Sequence, residues 1–370
     1  MTDDPPIKRQ TRRQFFQVVA TGLPAIALSG CGWTLANVKP LSTAQNSSND
    51  LYIYTWAGYT DRNFIEKFRQ KTGIRVVADV YDSNEVMLAK IQAGGGGGYS
   101  ILYPSDYMVQ KMIDLGMLVE LDFSRIVGIN NLFPKFQNPT YNPQNSHSIP
   151  LSWGTTGLIY NKKKVKPAPT DWSFLWEYKD RLSRRMTLLN DVREVMGATL
   201  KMLGYSYNAQ NPQEIEAAYQ KLLELKPHLA SFTSDAWRTQ ILSGDLLVAM
   251  CYSSDANEVM PENKDLEYVL PKSGSSLWVD TLVIPSTAPN LDGAYQWINF
   301  MLQPDVAAKI CEELSFAVPN KEAIKLLPPE IKNNLSLFPT EASLENCEGI
   351  APVGKVEEVF ERYWTMLTSQ

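Results

Sequence analysis

The sequence has little of what metal-dependent or nucleophilic catalysis ordinarily requires. It contains two histidines in 370 residues, His147 and His228, and they stand in unrelated contexts. A histidine-based metal site and a Ser-His-Asp triad are therefore both disfavoured. Four cysteines are too few for a disulfide framework. Cys31 has another explanation, below, and the other three allow at most one bridge, of which Cys311 with Cys347 is conceivable.

The sequence also lacks a long apolar run and an excess of positive charge. The longest apolar stretch, Phe15 to Leu28, contains Gly22 and Pro24 and falls short of the roughly 20 residues that span a bilayer. The net charge is −5, which disfavours nucleic acid as a partner and is compatible with cations. Apolar content of 44% and charged content of 20% are ordinary for a globular protein, and the length indicates two domains.

The N-terminal residues read as a targeting segment. Thr11 to Phe16 (TRRQFF) carries the twin-arginine export pattern, although ordinary secretion could also use this segment. Leu28-Ser29-Gly30-Cys31 matches the bacterial lipoprotein cleavage box. We therefore expect residues 1–31 to be a lipoprotein signal peptide with Cys31 as the lipidated residue. A flexible tether over 32–49 would follow, with the protein at the outer face of the cytoplasmic membrane, in the periplasm.

The chain after the tether opens with alternating strands and helices. Leu51 to Trp56 and Ile74 to Tyr81 are rich in β-branched and aromatic residues, and each is followed by a helical pattern, the first with Thr60 as its N-cap. This alternation predicts a mostly parallel sheet, whose ligands bind at the carboxyl ends of the strands. The glycine run 94–98 lacks the Lys-Ser/Thr of a phosphate loop, and we interpret it as a surface loop.

Two extended stretches are predicted to cross between the domains. Ser148 to Asn161 contains glycines, which mark bends or close backbone approach, and Trp278 to Pro285 is the return. Trp278 and Asp280 are two apart on a strand and share a face. An aromatic wall beside a carboxylate suits a cationic ligand with an apolar stem, while the plain alternative is a core tryptophan and a rim aspartate.

Aromatic and acidic residues recur at the ends of the predicted strands. The aromatic candidates are Trp56, Tyr59, Tyr107, Tyr252, Trp278 and Phe316, and the acidic candidates are Asp191, Glu194, Asp255 and Asp280. Structural alternatives exist: the spacing of Asp191 and Glu194 is that of a capping box, and Ser105 or Asp106 could cap the next helix. The recurrence favours one cleft with an aromatic and acidic lining.

The chain resembles the periplasmic spermidine/putrescine-binding proteins of bacterial ABC importers from about Leu51 to its C-terminus. The motifs that carry the resemblance are LYIYTWAGY (51–59), YPSDY (103–107), SIPLSWG (148–154), DVRE (191–194), QEIEAAY (213–219) and WVD (278–280). The resemblance implies an α/β, two-lobed type II periplasmic solute-binding fold. Each lobe would be a mixed, mostly parallel sheet flanked by helices, with two crossing strands as the hinge. Lobe 1 would comprise 50–154 plus 279–324, and lobe 2 would comprise 159–275 plus 330–370.

The resemblance also implies roles for individual residues. Trp56, Tyr107, Tyr252, Trp278 and Phe316 would surround the methylenes of a polyamine. Asp191, Glu194 and Asp280 would bind its ammonium groups, Ser105 and Tyr59 would add hydrogen bonds, and Asp255 resembles a carboxylate of putrescine-preferring relatives. The chain departs from the spermidine binders at Ala57-Gly58, where they have Thr-Glu. It also has Tyr252 for tryptophan, Phe316 for tyrosine and Ile350 near the place of a glutamine, so the preferred polyamine stays open.

We therefore expect a monomeric, lipid-anchored polyamine-binding protein that serves ABC permease subunits, without a cofactor, a metal, a nucleic acid partner or a catalysed reaction. The alternatives are a hydrolase built on a carboxylate pair, the same fold with another solute (ferric iron, a sugar or an amino acid), and polyamine sensing without transport. Iron would favour clustered Tyr and His, and the histidines are too few.

Overall fold

A computed structural model of the chain describes residues 50–56, 59, 62–81, 83–139 and 141–369. The predicted signal peptide, Cys31 and the tether lie outside the described residues, as do Ala57, Gly58 and the predicted N-cap Thr60. Within the described ranges, no helix has the length and apolar character needed to cross a membrane.

The strands of the described residues form one hydrogen-bonded path in the order β2-β1-β3-β9-β4-β7-β5-β6, with β8 added to β4. They are β1 (Asp50–Trp56), β2 (Arg75–Tyr81), β3 (Ile101–Leu102), β4 (Ser148–Asn161), β5 (Met186–Leu188), β6 (Ser231–Phe232), β7 (Val248–Tyr252), β8 (Leu266–Val269) and β9 (Leu277–Val283). Strands β2, β1 and β3 are parallel, and so are β6, β5 and β7, while the pairs made by β9 and β4 are antiparallel. The opening β-α-β-α pattern and its parallel pairing are as the sequence predicts.

Helices cover both faces of this sheet. In chain order they are α1 (Arg62–Thr72), α2 (Asn84–Gln92), α3 (Asp106–Asp114), α4 (Pro134–Gln137), α5 (Phe174–Glu177), α6 (Val192–Met202), α7 (Pro212–Leu225), α8 (Trp237–Ser243), α9 (Ser253–Val259), α10 (Leu291–Met301), α11 (Pro304–Leu314), α12 (Lys321–Leu326), α13 (Pro329–Lys332), α14 (Glu341–Leu344) and α15 (Glu357–Thr368). The glycine run contains a single 3₁₀ turn, Gly95–Gly98.

The two predicted crossing strands, β4 and β9, join the two halves of the sheet. β4 is a continuous strand of 14 residues whose first part pairs with β9 and whose last part pairs with β7 and β8. Separate apolar clusters lie on either side of this junction, one around Phe68 and Trp297 and another around Trp172 and Met196. Each half thus has its own core, and the mixed α/β sheet fits a two-lobed fold of type II.

One stretch differs from the sequence-based expectation. The residues after α11 look like a Pro-rich linker in sequence, yet they contain the short helices α12, α13 and α14. The sequence left the state of the cysteines open, and Cys311 and Cys347, like the buried Cys251, are free thiols. A Cys251 side chain inside the core packs as a small apolar group.

Candidate functional site

Asp280 lies near the middle of β9, in the region where the two halves of the sheet meet, and is 7% exposed. The Ser105 hydroxyl donates to its Oδ1 at 2.7 Å, and the Tyr59 hydroxyl donates to its Oδ2. Burial raises the pKa of the Asp280 carboxyl to about 6, although both hydroxyl donors act to lower it. Asp280 is thus a buried carboxylate satisfied by neutral groups alone.

Tyr59 is positioned by the end of β1, three residues beyond Trp56. Its hydroxyl lies 3.1 Å from Ser152 Oγ of β4, and its ring centroid lies 4.3 Å from that of Phe316. Because β3 and β4 pair with β9 on either side, Asp280 is enclosed by residues distant in sequence. Ser105 occupies the N-cap position of α3 but makes no side-chain cap bond there, since its hydroxyl is turned to Asp280.

Asp191 and Glu194 lie at the start of α6, in the other half of the sheet. Asp191 Oδ1 accepts the backbone N–H of Glu194 at 3.0 Å, so the predicted N-cap is confirmed. The reciprocal half of the capping box is absent. The Glu194 carboxylate instead accepts the hydroxyls of Tyr207 at 2.7 Å and Ser276 at 2.8 Å, and the residue is 2% exposed. The helix start therefore presents two adjacent carboxylates, only one of which caps it.

These two carboxylates resist ionising together. Burial, followed by the charge of Asp191, raises the pKa of Glu194 to about 7. Burial also raises the pKa of Asp191, against the opposing effect of the backbone N–H of Glu194. The pair consequently stores electrostatic repulsion that a cation between the carboxylates would relieve.

The aromatic residues line the space beside the carboxylates. The Trp278 ring lies against the backbone of Gly154, where a Cβ atom would come within 2.3 Å of Trp278 Cζ2, so the predicted close approach at this glycine is confirmed. The Tyr252 ring meets Trp278 edge-on, with centroids 6.0 Å apart. The Tyr252 hydroxyl donates towards Asp191 Oδ2 at 3.5 Å. Trp278 and Tyr252 therefore form a wall next to the acidic helix start.

Trp56 and Tyr107 belong to the first half of the sheet. The Trp56 ring packs against Tyr81 with centroids 4.5 Å apart. The Tyr107 hydroxyl donates to Glu85 Oε1 at 3.0 Å. Burial, the charge of Glu85 and then the charge of Asp191 raise the pKa of Tyr107, which puts Tyr107 within electrostatic range of the acidic helix start in the other half. Tyr107 therefore lies near the acidic helix start of the other half.

Asp255 differs from the other predicted carboxylates because it has a cationic partner. Arg238 Nη2 lies 2.9 Å from Asp255 Oδ1, and the same guanidinium also pairs with Asp235. Burial raises the pKa of Asp255 to about 6, while Arg238 lowers it. Because Arg238 already neutralises Asp255, this carboxylate attracts a cationic ligand less strongly than the other predicted carboxylates do.

No described Lys, Arg or His forms an ion pair with Asp191, Glu194 or Asp280, in contrast to Asp255. Arg193, the nearest basic residue in sequence, instead donates to Asn208 Oδ1 and the backbone oxygen of Ala351. Across the described residues, no three His, Cys, Asp or Glu side chains are arranged to hold a metal ion. The arrangement is suited to an organic cation with more than one charge.

Sequence reasoning missed two hydroxyls that bond Glu194, those of Tyr207 and Ser276. It also missed Ser152, which bonds Tyr59, and Asn84, which bonds Ser105 and Tyr107. Ser276 could have been predicted as a site residue from the sequence, since it lies two residues before Trp278 and shares a face of the strand with it. Tyr207 could not, because its bond to Glu194 spans a helix and a turn whose geometry the sequence does not specify.

Comparison with known proteins supports a common architecture. Residues 63–339 match the model of a family described as bacterial extracellular solute-binding protein. The spermidine/putrescine-binding periplasmic protein of Salmonella typhimurium is 38% identical over 331 residues, which is 88% of this chain and 94% of that protein.

Two solved structures are similar over most of the chain. A putative spermidine/putrescine ABC transporter protein from Listeria monocytogenes is 38% identical with a TM-score of 0.81, over 86% of this chain and 98% of that one. The Tp0655 lipoprotein of Treponema pallidum is 30% identical with a TM-score of 0.78, over 87% of this chain and 100% of that one.

Proposed function

The chain belongs to the bacterial extracellular solute-binding proteins, in the group of spermidine/putrescine-binding periplasmic proteins, and we propose that it captures a polyamine between its lobes and delivers it to an ABC-type importer. Binding leaves the solute unchanged, so the protein acts as a carrier and not as an enzyme.

One observation carries this proposal: Glu194 and Asp280 are buried and Asp191 is half-buried beside aromatic rings, and no described Lys, Arg or His forms an ion pair with any of the three. A buried unpaired carboxylate is costly, and a ligand ammonium removes that cost. Neutral and anionic solutes would leave the cost in place, so the same groups that attract a polyamine reject those solutes.

The chemistry of a polyamine matches the two kinds of lining. Its amines have pKa values near that of lysine, about 10.4, so they are charged at neutral pH. Desolvated ammonium groups over aromatic rings gain about 2 kcal/mol each. We assign the methylenes to the aromatic residues Trp56, Tyr107, Tyr252, Trp278 and Phe316. The ammonium groups are assigned to Asp191, Glu194 and Asp280, with hydrogen bonds from Ser105 and Tyr59 and a peripheral place for Asp255.

The lobes are proposed to close around the ligand by a hinge at β4 and β9. The boundaries stay those predicted from the sequence, 50–154 plus 279–324 for lobe 1 and 159–275 plus 330–370 for lobe 2. A ligand that contacts Asp280 from one side and Asp191 from the other stabilises the closed form over the open one.

Export and anchoring are proposed from the sequence alone. The protein would be exported by the twin-arginine route or by ordinary secretion. Its signal peptide would be cleaved before Cys31, and the lipid attached to Cys31 would hold the mature, monomeric protein at the outer face of the cytoplasmic membrane. The similar protein of Treponema pallidum is named a lipoprotein. In a cell expressing the full chain, Cys31→Ser should move the protein from the membrane fraction to the soluble one, and retention in the membrane would contradict the anchor.

A binding screen tests the proposed ligand class. Thermal unfolding and titration calorimetry of the purified protein would be run with putrescine, cadaverine, spermidine, spermine, γ-aminobutyrate, glucose and ferric citrate. We expect a rise in Tm with one or more polyamines only. Mass spectrometry of the recovered solute should find it unchanged. Stabilisation by the sugar or by iron, or turnover of the amine, would contradict the proposal.

A further inference from the structure

Asp106 is a buried carboxylate that the sequence identified only as a helix cap. It is the first residue of α3 and is 3% exposed. Its Oδ1 accepts the backbone N–H of Tyr107 at 2.8 Å. The cap position itself belongs to Ser105, so capping does not account for the burial of this charge.

The edge of β9 shows why Asp106 is placed at the junction of the lobes. Thr281 donates its backbone N–H to the oxygen of Pro104 at 3.0 Å, and Leu277 donates to the oxygen of Glu348 at 2.8 Å. Val279, between them, donates to the side chain of Asp106. The carboxylate therefore replaces a backbone acceptor at the point where β9 passes from one neighbouring segment to the next.

This position lies between the two ends of the site, which are Asp280 at the first end and the pair Asp191 and Glu194 at the second. Burial raises the pKa of Asp106 well above its ordinary value, and the charges of Asp280 and Glu194 both raise it further. Asp106 is thus within electrostatic range of the first end and of the second. Like those two residues, it forms no ion pair with a described Lys, Arg or His.

An unpaired hydroxyl lies close to the same place. The Tyr141 hydroxyl is fully buried and has no hydrogen-bond partner among the described residues. After burial, the charges of Asp106 and Asp280 are what raise the pKa of Tyr141, so its hydroxyl lies within electrostatic range of these two carboxyl groups. A buried hydroxyl left without a partner is destabilising, and a phenol oxygen can accept a hydrogen bond from an ammonium group.

The site has more carboxyl groups than a diamine has ammonium groups. Asp106, Asp191, Glu194 and Asp280 are four carboxyl groups, and a diamine brings two ammonium groups whereas a triamine brings three. The middle nitrogen of a triamine, which a diamine lacks, would lie between the two ends. An ammonium at that point would face a carboxylate and an unsatisfied hydroxyl.

We propose that Asp106 and the Tyr141 hydroxyl form a cation position between the two ends of the site, and that this position makes the protein favour triamines over diamines. The inference rests on the proposed polyamine function. It assigns a specificity-determining role to two residues outside the set predicted from the sequence.

The test compares a triamine with a diamine in matched variants by titration calorimetry. In Asp106→Asn the amide oxygen still accepts the N–H of Val279, so the fold is kept. We expect its Kd for spermidine to rise about tenfold, with less than a threefold change for putrescine. Tyr141→Phe removes a hydroxyl that has no protein partner and should weaken spermidine alone, by about threefold. Asp114→Asn, at the exposed end of α3, is the control and should change neither Kd.

The outcomes separate this inference from the proposed function. Equal losses for both amines in Asp106→Asn would show that Asp106 only supports β9, and unchanged values would show that it has no role in binding; either result overturns the inference. If Asp106→Asn fails to fold, Tyr141→Phe decides the question by the same ratio of Kd values. A wild-type protein that binds neither amine would instead contradict the proposed function itself.

Discussion

The two ends of the site hold negative charge in different ways. Asp280 stands alone and is satisfied by the hydroxyls of Ser105 and Tyr59, and its pKa is raised to about 6. At the other end, Asp191 and Glu194 share one helix start, and the charge of Asp191 contributes to a Glu194 pKa of about 7. The single carboxylate is ionised at neutral pH, whereas the pair holds a proton for part of the time.

This difference assigns distinct tasks to the two ends. Asp280 is the single predicted carboxylate at its end of the site, since Asp106 lies between the two ends, so an ammonium bound there depends mainly on one group. At the paired end, loss of one carboxylate leaves the other to bind the cation. We therefore expect the ends to respond unequally to substitution and to pH.

The largest effect is expected for Asp280→Asn. Truncating one partner of a buried charge pair costs about 2–5 kcal/mol, which corresponds to a rise in Kd of about 30-fold or more. The hydroxyls of Ser105 and Tyr59 can rotate to serve an amide, so the fold should be retained. Titration calorimetry with the tightest-binding polyamine measures the effect, and circular dichroism checks the fold.

A matched control is Asp305→Asn, because Asp305 is exposed at the start of α11. It should bind with the wild-type Kd. Glu194→Gln should weaken binding less than Asp280→Asn, since Asp191 remains. If Asp280→Asn binds within threefold of wild type, the contrast between the two ends disappears and Asp280 is not a ligand contact.

The second prediction concerns pH and depends mainly on the paired end. The cation favours the ionised carboxyls, so binding must displace the proton that Glu194 holds at pKa about 7 in the empty protein. Affinity should therefore fall as pH decreases, by about 25-fold between pH 7.5 and 5.5 from the titration of Glu194 alone, given that one pKa unit equals a factor of ten. Calorimetry in buffers of different ionisation enthalpy should detect proton release near pH 7.

The stability of the empty protein should change with pH in the opposite sense. The folded-state pKa values of Glu194 and Asp280, about 7 and about 6, exceed their ordinary values. Between about pH 4 and 7 the folded protein therefore binds more protons than the unfolded chain, and its free energy of unfolding falls as pH rises. In Glu194→Gln, the dependence of affinity on pH and the dependence of the free energy of unfolding on pH should both flatten near pH 7. In the exposed control Glu262→Gln, neither dependence should change. Unchanged slopes in Glu194→Gln would assign the effect to another group.

Much of the fold could be predicted because its signals are local. The alternation of strands and helices from Leu51, the long crossing strand Ser148–Asn161 and the cap at Asp191 all follow from patterns within a few residues. The close approach at Gly154 could also be predicted from local sequence, since a glycine within a strand indicates that another group approaches closely.

The rest depends on pairings across long sequence separations. The hydroxyl of Ser105 could serve the helix or Asp280, and only the path of β9 decides between them. The role of Asp106 depends on which segment flanks Val279, which is likewise a matter of topology. Helices α12, α13 and α14 were missed because each is short, four to six residues, and has no periodic pattern to detect.

The smallest effect is expected for Asp255→Asn, the carboxylate that the sequence placed in the site and the structure pairs with Arg238. Because Arg238 lies 2.9 Å from Asp255, an ammonium would gain little from this carboxylate, and Kd should change by less than about threefold. Arg238 keeps Asp235 as a partner, so the loss of Tm should also be small, about 2–4 °C. Calorimetry beside Asp280→Asn measures the contrast. A rise in Kd of tenfold or more in Asp255→Asn would mean that the ligand displaces Arg238 from Asp255. The second end of the site would then have three acidic contacts instead of two.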